Sequence, residues 1–323
     1  MEIRVIDLDN YTQNTITSAL YESGIFCVKV TKEFQQFNEC FIDLLEKYSD
    51  LPSEIKANHI RKDLHYQIGL TPENTETPMN HCEKVYRMGG NKPSGKDPKQ
   101  RWFHRTTPLV HTEIGGDLTG ENIIPDEFPE WAELFNKMGD LFSGVLERVN
   151  IILGEELDYP LIKLCENGNH LIAPTISDLE IYHKLNDILG GFHNDISFLT
   201  LHGTSRFPAL NIWNRDNIKI RAKVPKDCVL IQAGRQLEYI TNGYIMAGFH
   251  EVVVENDTID AYYNAKEKNR STTRISSTFF AHIASNNVME VLPQFQTHDY
   301  LLHHPPIKES EWIRKELEST LGL

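Results

Sequence analysis

Cysteine is scarce in this chain and never paired in sequence. Five cysteines among 323 residues, Cys27, Cys40, Cys82, Cys165 and Cys228, are scattered and odd in number, with no CxxC. That pattern fits reduced thiols better than a disulfide frame or a cysteine zinc site. No apolar run approaches the length that spans a bilayer. The first residues, Met1 to Asp7, read as a charged start and a short strand without the apolar segment of a signal peptide. A cytoplasmic location without a membrane partner is the expectation. Positive charge is also in short supply. Lys and Arg total 32 against 46 Asp and Glu, for a net charge of -14, which disfavours a nucleic-acid backbone as partner. Internal repeats and low-complexity tracts are absent.

What is present suits a globular enzyme: 40% hydrophobic and 24% charged residues, enough for a substantial core. Residues 3–8 read as a strand, Thr15 to Tyr21 as a short helix and Gly24 to Val30 as a strand. The apolar spacing of Phe34, Phe37, Phe41 and Leu44 predicts a helix over 33–48, and that of Trp131, Phe135, Met138 and Phe142 a long helix over 128–152. Between them, residues 50–110 are broken by Pro and Gly and read as a surface arm or lid. Beyond Tyr159 short strands are expected at Leu161–Leu164, Leu210–Trp213, Ile218–Ala222, Val229–Gln232, Gln236–Thr241, Glu251–Val254 and Arg274–Ala281. Asn242-Gly243 is a turn signal, and a helix is expected over 309–321. The fold class is mainly β with accessory helices. The regions are 1–155, an N-terminal accessory part; 156–290, a β core; and 291–323, a C-terminal extension, packed as one unit.

The chemistry concentrates in two short segments. Gly190-Gly191-Phe192-His193-Asn194-Asp195 carries a histidine and a carboxylate two residues apart, and Gly248-Phe249-His250 brings a second imidazole from a distance. An isolated HxD is more often a hydrogen-bonded pair than a ligand pair. With His250 and the flanking glycines, which allow close backbone approach, His193, Asp195 and His250 form a candidate catalytic triad that binds Fe(II) and leaves coordination positions open. Arg274 and Ser276, at i and i+2, share one face of a strand. A guanidinium fork and a hydroxyl there can hold a carboxylate.

The ordered set HxD, distant His and late RxS resembles the isopenicillin-N-synthase-like family of 2-oxoglutarate/Fe(II)-dependent dioxygenases. Leu237 to Gly243 and the stretch from Ile6 to Val28 add to the likeness, which covers most of the chain. The resemblance implies a distorted double-stranded β-helix, or jelly roll. It implies Fe(II) with 2-oxoglutarate and O2 as co-substrates, Arg274 and Ser276 on the distal carboxylate, and hydroxylation of a small organic molecule. Alternatives are an Fe(II)/O2 oxidase of the same fold that does not use 2-oxoglutarate, and a non-catalytic small-molecule-binding jelly roll. Candidate substrate contacts are Arg61, His65, Tyr66, Gln67, Arg101 and Phe192, with the two arginines addressing an acidic substrate. Arg61 and His65 are spaced for one helix face. Residues 255–273 extend the interval before Arg274 and read as a surface hairpin or a short helix. The oligomeric state is left open.

Overall fold

The computed structural model describes residues 3–78, 89–91, 95–106 and 120–321. The N-terminal part contains β1 (Val5–Ile6), α1 (Thr15–Ser23), β2 (Ile25–Lys29), α2 (Lys32–Ser49), α3 (Ser53–Ala57), β3 (Gly69–Thr71), β4 (Gln100–Arg105) and the long α4 (Trp131–Glu156). Then come α5 (Leu161–Cys165), β5 (Leu171–Ile172), β6 (Thr175–Asp178), β7 (Ile188–His193), β8 (Leu199–His202), β9 (Leu210–Trp213), β10 (Lys219–Arg221) and β11 (Cys228–Ala233). The remainder includes α6 (Arg235–Ile240), β12 (Phe249–Val253), α7 (Asn256–Glu267), β13 (Thr273–Ser276), β14 (Thr278–Ala281) and a C-terminal helix, Glu309–Leu321. Cys82 lies outside the described residues.

Local chemistry sets several boundaries. The Thr31 hydroxyl accepts the Phe34 N–H at 3.2 Å and starts α2, as an N-cap should. Gly24, at φ +69°, ends α1 in the left-handed region and donates its N–H to Leu20, a conformation that costs glycine little. In α7, Glu255 donates its N–H to Thr258 Oγ1 at 3.1 Å. The interval 255–273 is thus largely a helix.

Among the described residues the larger sheet runs β1-β2-β11-β8-β14-β5-β4-β6-β13, with β3 on β4, and the smaller runs β10-β9-β12-β7. The pairing of Phe279 with Ile172 continues in the same register as Ser276 with Thr175. Residues 171–178 and 273–281 are therefore two long interrupted strands side by side. Pro174 lies at the interruption. It has no N–H to give, but its carbonyl still accepts from Trp102 at 3.0 Å.

α2 and α4 pack over the larger sheet. One hydrophobic cluster runs from Ile6 through Trp102, Phe135 and Phe279 to Trp312, so residues from all three expected regions share it. Trp102 is fully buried, its ring 4.7 Å from Trp131 and 5.3 Å from Tyr48. The expectation of a surface arm over 50–110 is corrected for Gln100–Arg105, because β4 is an interior strand of the sheet, while residues 79–88, 92–94 and 107–110 lie outside the described residues.

Two expected strands are helices. Leu161, Leu164 and Cys165 are the buried face of α5, at helical spacing after Pro160. Gln236, Leu237 and Ile240 are the buried face of α6. Asn242 and Gly243 have φ of 48° and 77°, and the Gly243 N–H reaches back to the Glu238 carbonyl at 2.9 Å. This turn closes a helix C-terminus rather than a hairpin.

Candidate active site

β7 and β12 are antiparallel neighbours, and their register sets His193 opposite His250. Asp195 follows β7 in a loop that the first turn of α6 holds: the Arg235 N–H donates to the Asp195 carbonyl at 2.8 Å and the Gln236 N–H to the Ser197 carbonyl at 3.1 Å. The ligand atoms of His193, Asp195 and His250 all fall within 4.8 Å of one another. Asp195 Oδ1 is 3.6 Å from His193 Nε2 and 3.9 Å from His250 Nε2.

Groups behind the triad orient it. His193 Nδ1–H donates to the Gly191 carbonyl at 2.6 Å, which leaves the Nε2 lone pair facing the centre. Asp97 Oδ1 accepts the Gly191 N–H at 2.8 Å. Thr200 donates its hydroxyl to Asp195 Oδ2 at 2.7 Å. The Gln232 amide nitrogen lies 2.7 Å from His250 Nδ1, while its oxygen has no partner. The same nitrogen donates to the Gly248 carbonyl at 2.8 Å, and that carbonyl lies 3.4 Å from His250 Nδ1. Burial raises the Asp195 carboxyl, but the His250 and His193 imidazoles outweigh it and hold Asp195 well below its ordinary range. Burial and the neighbouring His193 lower His250 to about 3. A carboxylate and neutral imidazoles are the forms that bind a divalent cation.

Two cavities meet at this centre. The inner one, about 200 Å³, lies between the sheets and is lined by His193, His202, His250, Arg274, Ser276 and Thr278 among others. Arg274 is 4% exposed. It donates from Nε to the Phe207 carbonyl at 3.1 Å and has no acidic partner among the described residues. Burial, with Arg221 nearby, lowers it to about 10. His202 Nε2 is buried without a hydrogen-bond partner among the described residues. The outer cavity, about 430 Å³, shares His193, Asp195, Lys99, Arg101 and Phe280 with the inner one. At this junction Arg101 pairs with Glu76: Nη2 donates to one carboxylate oxygen at 3.0 Å, and Nε lies 2.9 Å from the other. Lys99 pairs with Glu76 at 3.0 Å and with Asp97. Burial pushes Glu76 up, yet the two cations hold it at about 2.

Residues 181–283 match the 2OG-Fe(II) oxygenase superfamily. No curated protein matches the chain. A Caulobacter crescentus protein described as of the 2OG-Fe(II) oxygenase family superposes with TM-score 0.76 at 19% identity, covering 98% of both chains. A full-length Neurospora crassa protein in complex with alpha-KG superposes with TM-score 0.75 at 15% identity, over 98% of this chain and 95% of that one. JOX2 in complex with 2OG, Fe and JA gives 0.68 at 15% identity, over 99% and 86%. The chain thus carries a 2OG-Fe(II) oxygenase superfamily domain on a sheet-rich fold similar to these proteins. The superfamily uses Fe(II), 2-oxoglutarate and O2, and the His193–Asp195–His250 group fits the metal in donor type and spacing.

The remaining expected contacts are dispersed. Gln67 and Arg101 line the outer cavity. Arg61 is partly exposed and engaged by Asp63 at 2.5 Å. His65 and Tyr66, at φ 51° and 60°, line neither cavity, and the helix face expected of Arg61 and His65 is absent: a single tight turn, Lys62–Leu64, follows Arg61. Phe192 is fully buried and stacks on Phe249 at 5.0 Å. Its side chain points away from His193 because neighbours in a strand alternate faces. His202, Lys99 and Asp97 were missed by sequence reading. Each is a common residue without a motif, and only sheet pairing brings it to the site.

Proposed function

We propose that the chain is a 2-oxoglutarate- and Fe(II)-dependent oxygenase that hydroxylates a small organic molecule on a double-stranded β-helix. The observation that carries this reading is the inner cavity, which has the triad at one end and an unneutralised Arg274 beside Ser276 at the other. His193, Asp195 and His250 would hold Fe(II), which when bound supplies the activation of O2 that these side chains cannot provide. Arg274 offers its fork, and Ser276 its hydroxyl, to the distal carboxylate of 2-oxoglutarate. His202 lines the same space. The outer cavity receives the primary substrate, with Phe280 on the wall common to both. The overall change balances as substrate C–H, O2 and 2-oxoglutarate giving substrate C–OH, succinate and carbon dioxide.

The small-molecule reading is supported by the Neurospora crassa protein crystallised with thymine and by JOX2 with JA. The boundaries 1–155, 156–290 and 291–323 are read as regions of one unit. No helix among the described residues is long and apolar enough to cross a membrane. The described cysteines Cys27, Cys40, Cys165 and Cys228 are free, in keeping with a reducing, cytoplasmic setting.

Anaerobic titration of the Fe(II)-loaded protein with 2-oxoglutarate tests the reading. A charge-transfer band should appear, and Arg274→Ala should raise the dissociation constant for 2-oxoglutarate on the order of 10-fold or more while iron binding persists. Admission of O2 should then give succinate. An unchanged dissociation constant in Arg274→Ala, or oxygen use without succinate, defeats the proposal.

A further inference from the structure

Arg105 is a buried cation that the iron chemistry does not use. It lines the outer cavity and is 7% exposed. Among the described residues its buried Nε and Nη2 meet no hydrogen-bond partner, and no carboxylate pairs with it. Glu166 lines the same cavity but is exposed and makes no ion pair with it. Burial alone lowers the Arg105 pKa from its ordinary value. The other outer-cavity cations differ: Arg101 and Lys99 are neutralised by Glu76 and Asp97, and Lys163 is exposed to solvent. A buried guanidinium without a counter-charge is unfavourable unless a ligand supplies one.

The backbone fixes this group in place. The Arg105 N–H donates to Asn122 Oδ1 at 2.7 Å, and Asn122 Nδ2 donates back to the Arg105 carbonyl at 2.8 Å. Along β4 the residues Arg101, Phe103 and Arg105 share the face toward the cavity, as alternation requires. Arg101 stands at the triad end. Four residues of strand put Arg105 roughly 13 Å farther along. The wall between them is apolar, formed by Phe103, Leu171 and Phe280.

We propose that Arg105 anchors a carboxylate of the primary substrate, which is a small acid with an apolar body lying against Phe103, Leu171 and Phe280. The proposal rests on the outer cavity being the primary-substrate site. It moves the recognition of an acidic substrate from Arg61 and Arg101, which Asp63 and Glu76 already engage, to the one outer-cavity arginine without a counter-ion among the described residues.

The test uses the Fe(II)- and 2-oxoglutarate-loaded protein under nitrogen. The probes are a graded series of aliphatic and aryl monocarboxylates, each paired with its primary amide, titrated calorimetrically. The acids that fit should bind about tenfold or more tighter than their amides. Arg105→Gln should bring that ratio close to one and leave the iron–2-oxoglutarate band intact, and Arg105→Lys should keep part of the preference. Equal binding of acids and amides by the wild type overturns the proposal without recourse to any variant, and so does an acid preference that survives Arg105→Gln. If acids outbind amides while the charge-transfer band fails to form, the anchor stands and the oxygenase reading fails. The reverse pattern sinks the anchor alone.

Discussion

At the scale of single residues, the triad depends on groups that never touch the metal. Thr200 gives its hydroxyl to Asp195 Oδ2 and lies 2.9 Å from Ser197 Oγ. Thr200→Val keeps the shape and removes the donor, so one carboxylate oxygen loses its partner. Iron affinity should fall on the order of 10-fold, read by anaerobic metal titration. Asp195→Ala should abolish near-stoichiometric iron binding with the fold intact by circular dichroism. A Thr200→Val protein with wild-type iron affinity would show that the hydroxyl does not tune the carboxylate.

Glu309 supplies a pH signature. Burial raises its carboxyl to about 8, against smaller opposing hydrogen bonds from Gln236 and Ser285. The folded chain therefore holds a proton that the unfolded chain releases near pH 4.5. Between about pH 4.5 and 8 the native state binds more protons, so stability falls as pH rises through this window and levels off above it. Glu309→Gln should flatten that part of the stability–pH curve relative to wild type, measured by thermal unfolding in a buffer series. Parallel curves would mean that Glu309 is ionised in the fold.

At the scale of elements, α6 does more than its six residues suggest. It follows Gly234, where an added Cβ would sit 2.0 Å from the Ser197 carbonyl oxygen. Gly234→Ala must push the helix start and the Asp195 loop apart. The expected cost is about 1–3 kcal/mol or more, visible as a lower urea midpoint, together with weaker iron binding. A variant with wild-type stability would show that the loop yields without strain. The sequence reading took this segment for a strand because Leu237, Tyr239 and Ile240 suit either period over so short a run. α5 misled for the same reason. The longer helices α2 and α4 were legible because their apolar spacing persists over several turns.

At the scale of the molecule, the site residues were legible where ligand chemistry imposes a spacing, as in His193, Asp195 and His250 or Arg274 and Ser276. The walls were not. Lys99, His202 and Arg105 reach the cavities through pairings between strands far apart in sequence, such as His202 with Thr278 and Arg105 with Leu171. β5, β6, β7 and β8 also escaped the reading, because strands covered on both faces lose their alternation. β4 was hidden among breakers, although Trp102 holds the aromatic cluster against α2 and α4. Trp102→Ala should cost about 3–5 kcal/mol, measured by denaturant unfolding. A loss well under 1 kcal/mol would mean that the cluster closes around the gap.

β4 also has a consequence for how such a protein can diversify. Its odd-numbered residues Arg101, Phe103 and Arg105 meet the ligand space, while Trp102 and His104 plug into the helices, His104 lying 4.9 Å from the Phe135 ring. Taste for a substrate and resistance to unfolding are thus interleaved on one ribbon, one residue each in turn. Point substitutions at the odd positions can re-educate the pocket while the even ones keep the fold. An insertion or deletion of a single residue would exchange the two sets. A lineage that evolves new substrates through this strand is therefore confined to swapping letters and cannot change the count.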